Sequence, residues 1–103
     1  MTLIEAIREK MAHGEYEFSE HAVDQSILRH IGVHEVAEAI AGGEVIEEYP
    51  HDKYGPSCLI MGFARSGRPI HVQCGYPSGS PVKAITTYEP DPKQWVDCRY
   101  RRS

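Results

Sequence analysis

Hydrophobic positions in the first part of the chain repeat at the spacing of amphipathic helices. Three apolar stripes predict three helices, and Gly14, Gly32 and Gly42 end them. The short apolar segment 16–18, between the first two helices, is predicted to be a strand. The stripes consist of Leu3, Ile4, Ile7 and Met11; of Val23, Ile27 and Ile31; and of Val33, Val36, Ala37 and Ile40.

From Glu44 onward the pattern changes to β-rich runs separated by turn residues. A loop at 51–56, the hairpin dipeptide Ser66-Gly67 and a turn at 77–81 connect these runs. Because the connections are short, we expect consecutive strands to pair in an antiparallel meander. The predicted strands cover residues 44–49, 57–65, 68–76 and 82–89.

This order of elements predicts the α+β class, with N-terminal helices packed on a curved antiparallel β-sheet meander. The proline-rich segment 90–92 interrupts the last strand, and we predict a short helix over 93–100 that is anchored by Trp95. No repeat or linker divides the 103 residues, so we expect one domain spanning 1–103.

Charge and composition exclude some classes of protein. The net charge of −4 argues against a dedicated nucleic-acid-binding protein. The apolar runs are too short to cross a membrane, and the first five residues lack the pattern of a signal peptide. Cys58, Cys74 and Cys98 are widely spaced, as is typical of reduced thiols. We therefore expect a cytoplasmic protein with no membrane association.

The segment Ser19-Glu20-His21 begins the second helix and is the first candidate site. Ser19 can cap the helix, and Glu20 lies where the helix dipole favours an anion. The same dipole disfavours a charged imidazole at His21, and a neutral imidazole can act as a general base. The alternative is that His21 is a surface residue or fixes the entry of the chain into the helix.

Polar side chains on one sheet face form the second candidate site. In the run 68–76, Ile70, Val72 and Cys74 point towards the core, so His71 and Gln73 are predicted to face a groove or solvent. Tyr88 can supply a phenol on this face. The alternative is that His71 is a surface histidine and Tyr88 a half-buried aromatic residue.

Metal and cofactor motifs are weak or missing in the sequence. His71 and Cys74 lie three residues apart on a strand and therefore point to opposite faces. His30 and His34 have helical spacing, but Gly32 lies between them. No phosphate-binding loop or dinucleotide-binding fingerprint occurs. We therefore expect neither a metal nor a cofactor.

Several short motifs resemble, in their order and spacing along the chain, a bacterial family of domains of unknown function, family 4258. This family is similar in layout to the small RelE-like and BrnT-like toxins, and some of its members occur beside small zinc-finger proteins that resemble antitoxins. The motifs are Phe18 to Ala22, Arg29, Ile31, the segments 33–40, 43–50 and 68–72, and residues 85–90.

The resemblance implies a toxin-like protein of a toxin–antitoxin pair that cleaves RNA, or a relative that kept the fold without the activity. The mechanism that we predict for cleavage needs no metal. His21 and His71 are then the acid and base candidates, and Tyr88 assists them. Arg29 or Arg99 would stabilise the charge on the phosphate, and Gln73 would contact the substrate. RNA binding would require folding to gather a local basic patch, and the implied protein partner is a small zinc-finger antitoxin-like protein. The candidates for the patch are Arg29, Arg65, Arg68, Lys83 and the segment 99–102.

A second hypothesis is a non-catalytic protein-interaction domain of the same fold. Such a domain would bind a partner through its sheet face or an exposed edge strand, because edge strands offer unpaired backbone groups to another chain. The acidic net charge favours this alternative.

Overall fold

The computed structural model describes residues 1–53, 55–78 and 81–102. Parts of two predicted connections, Tyr54 in the loop at 51–56 and residues 79–80 in the turn at 77–81, lie outside the described residues. The elements in chain order are α1 (Leu3–Ala12), β1 (Tyr16–Phe18), α2 (Glu20–Leu28), α3 (Val33–Ala41), β2 (Glu44–Tyr49), β3 (Ser57–Phe63), β4 (Pro69–Gly75), β5 (Val82–Tyr88), β6 (Trp95–Val96) and β7 (Tyr100–Arg101).

A five-stranded sheet has the strand order β1-β5-β4-β3-β2. Strands β2 to β5 form the predicted antiparallel meander, but β1 pairs with β5 in parallel, with Tyr16 opposite Val82. The prediction of a purely antiparallel sheet is therefore wrong, and the fold is α+β with a mixed sheet. The reason is topological: α2 and α3 lead the chain from β1 to the opposite edge, so β5 is the neighbour left for β1.

The main hydrophobic core lies between the helices and one face of the sheet. Ile7 of α1, Val36 of α3 and Val72 of β4 belong to one buried cluster. Helix α3 lies very close to β3 at Gly62. A Cβ atom at this position would be only 1.9 Å from the carbonyl oxygen of Ala39, so the close approach requires glycine. Within the described residues, no helix combines the length and apolar character needed to cross a lipid bilayer.

Helix α2 is rotated relative to the predicted orientation. Val23 and Ile27, predicted to be buried, are 42% and 69% exposed, while Ala22 is fully buried. The helix ends at Leu28, so the buried Ile31 lies beyond it. The prediction of a buried stripe is wrong for Val23 and Ile27, because small Ala22 packs inward instead, whereas Ile31 is buried as predicted.

Ser19 fixes the start of α2 against β5. Its backbone N–H donates to the Ala84 carbonyl (3.0 Å) and its hydroxyl donates to the Ile85 carbonyl (2.9 Å). The same hydroxyl oxygen accepts from the Ala22 N–H (3.0 Å), which confirms the predicted helix cap. Ile85 is the extra residue of a β-bulge, because Gln73 pairs with Thr86 and Cys74 with Ala84. Ser19 thus joins the helix cap to the bulge.

Replacing Ser19 with Ala is expected to lower the free energy of unfolding by about 1–2 kcal/mol, since it removes the cap and the bond to Ile85. Ser19→Thr should retain both interactions. Ser19→Asp can cap the helix but cannot donate to a carbonyl, so its loss should be intermediate. Urea denaturation measures these values, with Ser66→Ala in the exposed β3–β4 turn as the control. Equal stability of the Ser19→Asp and Ser19→Thr proteins would contradict a role for the Ile85 bond.

The predicted helix over 93–100 is wrong, although Trp95 is the predicted anchor and is only 4% exposed. Strands β6 and β7 pair antiparallel, with Trp95 opposite Arg101. In this extended conformation the Arg101 guanidinium lies 4.7 Å from the centre of the Trp95 ring and forms an ion pair with Glu47 of β2 (2.8 Å). These contacts hold the β6–β7 hairpin on the sheet, and a helix would not align the two side chains in this way.

Candidate functional site

The β6–β7 hairpin covers His71, which lies on the sheet face opposite the core cluster. His71 of β4 pairs with Tyr88 of β5, so the two side chains share this face. The predicted open position of His71 is wrong, because its side chain is 0% exposed beneath the hairpin. Gln73, on the same face, is half-buried and donates to the Ser57 hydroxyl (3.1 Å).

Two hydrogen bonds define the protonation state of His71. Its Nε2 lies 2.6 Å from the Cys98 carbonyl oxygen. A carbonyl can only accept, so Nε2 carries the hydrogen and donates it. In the neutral ring Nδ1 is therefore an acceptor, and the Tyr88 hydroxyl donates to it over 3.3 Å. Trp95 packs edge-on against the same imidazole, with 4.6 Å between the ring centres.

An unusual turn presents the Cys98 carbonyl to His71. Asp97 and Cys98 have φ angles of 54° and 59°, and the Arg99 N–H donates to the Val96 carbonyl (3.1 Å). This hairpin turn normally uses Asn or Asp followed by Gly, so Asp97 fits it, but the left-handed conformation costs a residue such as Cys98 about 1–2 kcal/mol. Strained residues of this kind cluster at functional sites. The turn therefore marks the His71 contact as a candidate site.

Burial keeps both members of the His71–Tyr88 pair uncharged. Desolvation lowers the pKa of His71, and the Cys98 carbonyl and the Glu47 carboxylate only partly oppose this effect. Desolvation also raises the pKa of Tyr88. At neutral pH the pair thus consists of a neutral imidazole and a protonated phenol, as the hydrogen bond between them requires.

The lowered pKa of His71 predicts acid sensitivity of the fold. The unfolded chain binds this proton more readily, so the free energy of unfolding should fall as the pH drops below about 6.5, the ordinary histidine pKa. His71 should contribute no pH dependence above that value. Urea denaturation at pH 7.5 and 5.5 should show a smaller loss for His71→Gln than for the parent. An equal loss would contradict this explanation, and His51→Gln, which alters an exposed histidine, is the control.

Tyr88 connects the buried histidine to an open cavity of about 390 Å³. Arg29, the cap residue at the C-terminal end of α2, donates to the Thr87 carbonyl (2.9 Å) and lies 5.9 Å from the centre of the Tyr88 ring. Arg29 forms no ion pair with any residue of the described part of the chain. The lining residues are Arg29, Arg68, Tyr88, Glu89, Asp91 and Gln94.

Arg68, the second cation of the cavity, has its hydrogen bonds satisfied within the protein. It forms ion pairs with Glu89 (2.9 Å) and Glu35 (3.3 Å). It also donates to the carbonyls of Arg29 (2.9 Å) and His30 (2.7 Å), immediately after α2. Arg68 therefore holds the end of α2 in place and leaves Arg29 as the cation available to an anionic ligand.

The structure brings three of the six predicted site residues together: His71, Tyr88 and Arg29. His21 is exposed in the first turn of α2 and is not among the residues that line the cavity. Arg99 forms ion pairs with Glu44 and Asp97 and lines a separate groove beside β2. Gln73 shares the sheet face of His71 but contacts Ser57. The roles of His21, Gln73 and Arg99 stay predictions.

Sequence reasoning missed the contribution of the C-terminal segment to the site. Trp95 and the Cys98 carbonyl contact His71 directly. Arg101 acts through Glu47, with which it forms an ion pair and whose carboxylate influences the pKa of His71. Trp95 was visible as an apolar anchor, but no pattern in the sequence indicates that the backbone at Cys98 is left-handed. The buried cysteines do not add a nucleophile, because burial raises the pKa of Cys58 to about 12 and that of Cys74 further.

Most of the candidate cations for a basic patch are paired with carboxylates, which reduces the positive charge that they can offer to RNA. Ion pairs occupy Arg65, Arg68, Lys83, Arg99 and Arg101. No group of three or more metal-ligating side chains occurs within residues 1–53, 55–78 and 81–102. The site therefore consists of one unpaired guanidinium beside a tyrosine–histidine pair.

The comparisons with known proteins give one result. A family model described as a domain of unknown function (DUF4258) matches residues 18–89. The matched region begins at the last residue of β1 and includes α2, α3 and strands β2 to β5, and hence His71, Tyr88 and Arg29. No curated protein and no solved structure matches the chain.

Proposed function

The chain belongs to the DUF4258 family, and from the geometry around His71 we propose that it is a RelE/BrnT-like endoribonuclease. One observation carries this proposal: Tyr88, whose hydroxyl donates to the buried neutral imidazole, lines the cavity that also holds the unpaired Arg29. A histidine can accept a proton as a general base only while its imidazole is uncharged at the working pH. Stabilisation of a phosphate in the transition state needs a cation beside it.

In the proposed reaction the Tyr88 oxygen accepts the proton of a ribose 2′-hydroxyl while its own proton passes to Nδ1 of His71. The 2′-oxygen forms a bond to the adjacent phosphorus, and the bond from phosphorus to the 5′-oxygen breaks. The leaving oxygen takes a proton from solvent, and His71 afterwards releases its proton through Tyr88 to solvent, which restores the neutral imidazole and the phenol. The Arg29 guanidinium binds the non-bridging oxygens. The products are a 2′,3′-cyclic phosphate and a 5′-hydroxyl.

The paired surface cations set the mode of RNA binding in this proposal. Each phosphate contact on single-stranded RNA contributes a slope of about −0.7 to the dependence of log K on log salt. Because Arg29 is the cation available at the cavity, we expect the slope that corresponds to one or two phosphate contacts. A protein with a basic surface would show a much steeper dependence of RNA affinity on salt.

A cleavage assay with the purified chain tests the proposal. The substrate is a 5′-labelled single-stranded RNA, and its matched control carries a 2′-deoxynucleotide at the cleaved position. We expect cyclic-phosphate products from the RNA, no cleavage at the deoxy position, and unchanged activity in EDTA. Absence of cleavage at equimolar protein, or cleavage at the deoxy position, would overturn the proposed mechanism.

The proposal includes a role as the toxin of a toxin–antitoxin pair whose partner is a small zinc-finger antitoxin-like protein. The helices on one face of the β2–β5 meander agree with the layout expected of RelE-like and BrnT-like toxins. Induced expression should stop growth and degrade cellular RNA, and co-expression of a neighbouring zinc-finger gene should restore growth. Normal growth with intact RNA at high expression would contradict the toxin role.

A further inference from the structure

The outer face of α2 exposes large apolar side chains. Val23 is 42% exposed, Ile27 69% and Leu28 72%. Val23 and Ile27 are four residues apart on the helix, so their side chains are neighbours and form a ridge. Contiguous exposed apolar surface on a protein marks an interaction site more often than isolated residues do.

A ridge of acidic residues runs beside this apolar ridge. Glu20 and Asp24 are also four residues apart, both are exposed, and neither has a hydrogen bond or ion pair from its side chain among the described residues. Two like charges at this spacing destabilise a helix by a few tenths of a kcal/mol. By contrast, carboxylates elsewhere on the surface, such as Glu38 and Glu47, pair with arginines. Among the described residues, no cationic side chain therefore pairs with the two carboxylates of α2.

We propose that this face of α2 (Glu20, Val23, Asp24, Ile27 and Leu28) binds an amphipathic helix of a partner protein that carries an apolar stripe beside lysines or arginines. Parallel ridges of residues four apart are the surface into which another helix packs. The free edge of β1 is only three residues long and offers little to an incoming strand.

Charge excludes two other occupants. The carboxylates of Glu20 and Asp24 repel the phosphates of a nucleic acid. In a symmetric dimer of this chain the same surface would face itself, so the carboxylates of both copies would lie in one interface and this face would supply no cation to pair with them. A helix with an apolar stripe and basic side chains would cover the exposed apolar residues and also pair with the carboxylates. The inference goes beyond RNA cleavage and does not depend on it, because no residue of this face takes part in the proposed reaction.

Two synthetic 18-residue amphipathic peptides, one of leucine and lysine and one of leucine and glutamate, serve as probes in ¹⁵N NMR titrations of the full chain. We expect the lysine peptide to bind, with shifts centred on α2, and the glutamate peptide not to bind. The double variant Glu20→Lys/Asp24→Lys should reverse this preference. The matched control, Glu5→Lys/Glu9→Lys, makes the same charge change on another exposed acidic pair in α1 and should leave the preference unchanged.

The apolar contribution is tested separately with Ile27→Ser/Leu28→Ser. Both side chains are exposed, so the fold should tolerate the change. We expect binding of the lysine peptide to weaken at least tenfold. Shifts centred elsewhere, equal effects of the two charge-reversal variants, or an undiminished affinity of the serine variant would overturn the proposal. Self-association through α2, measured by analytical ultracentrifugation, would also overturn it in favour of a homodimer interface.

Discussion

Replacing Tyr88 with Phe is expected to reduce the rate of RNA cleavage by about 100- to 10,000-fold, the usual contribution of a general acid–base group. The ring remains and can still pack against His71 and Arg29, so the fold should be preserved. Only the hydroxyl that donates to Nδ1 of His71 is lost. Single-turnover cleavage of the labelled RNA at saturating protein measures the chemical step without the contribution of binding.

Tyr100→Phe is the matched control, because Tyr100 is 64% exposed on β7 and its phenol lies outside the cavity lining. It should cleave at the parental rate. His71→Gln should approach the loss seen for Tyr88→Phe, since the two residues act as one unit in the proposed proton transfer. His21→Ala tests the remaining histidine of the predicted site. Parental activity of Tyr88→Phe would refute the proton path, and a loss confined to His21→Ala would place the base at α2 instead.

Replacing Trp95 with Ala is expected to lower the free energy of unfolding by about 3–5 kcal/mol, the range for removal of a buried aromatic side chain. The indole is 4% exposed and contacts both the His71 imidazole and the Arg101 guanidinium. Its removal therefore opens the space above His71 and weakens the attachment of the β6–β7 hairpin. Since a domain of this size is stable by only about 5–15 kcal/mol, the change should be evident in urea denaturation.

Val96→Ala, at the neighbouring and 41% exposed position of the same strand, is the control and should cost much less. In the Trp95→Ala protein, solvent should reach His71, and the depression of its pKa should diminish because burial is the largest cause of the shift. A ¹⁵N NMR titration of the imidazole measures this change. A loss of stability below about 1 kcal/mol would show that the hairpin is not a fixed cover.

Periodicity and turn residues were sufficient to predict most elements. Helix α1 and strands β2 to β5 occur where the sequence indicated, because their apolar spacing and flanking glycines or prolines are local signals. The orientation of α2 could not be predicted in the same way. It depends on the bonds from Ser19 to the carbonyls of Ala84 and Ile85, residues far away in the chain, which override the apolar stripe.

Only part of the candidate site could be predicted, because only part of it depends on local signals in the sequence. Strand alternation placed His71 and Tyr88 on faces that could meet, and the β4–β5 register confirms that they do. The cover over His71 was not predicted, because it depends on two residues other than glycine with positive φ, Asp97 and Cys98. Turns with φ > 0 are usually recognised by asparagine or aspartate followed by glycine, and here Cys98 follows Asp97.

The parallel pairing of β1 with β5 has a consequence for the order in which the protein folds during synthesis. Ser19 and its acceptor Ile85 are 66 residues apart, so β1 and α2 leave the ribosome long before the strand that holds them exists. Contacts of such long range are costly to form and slow folding. We therefore expect the helical segment to remain unstructured until β5 is made, and the whole domain then to fold in one cooperative step.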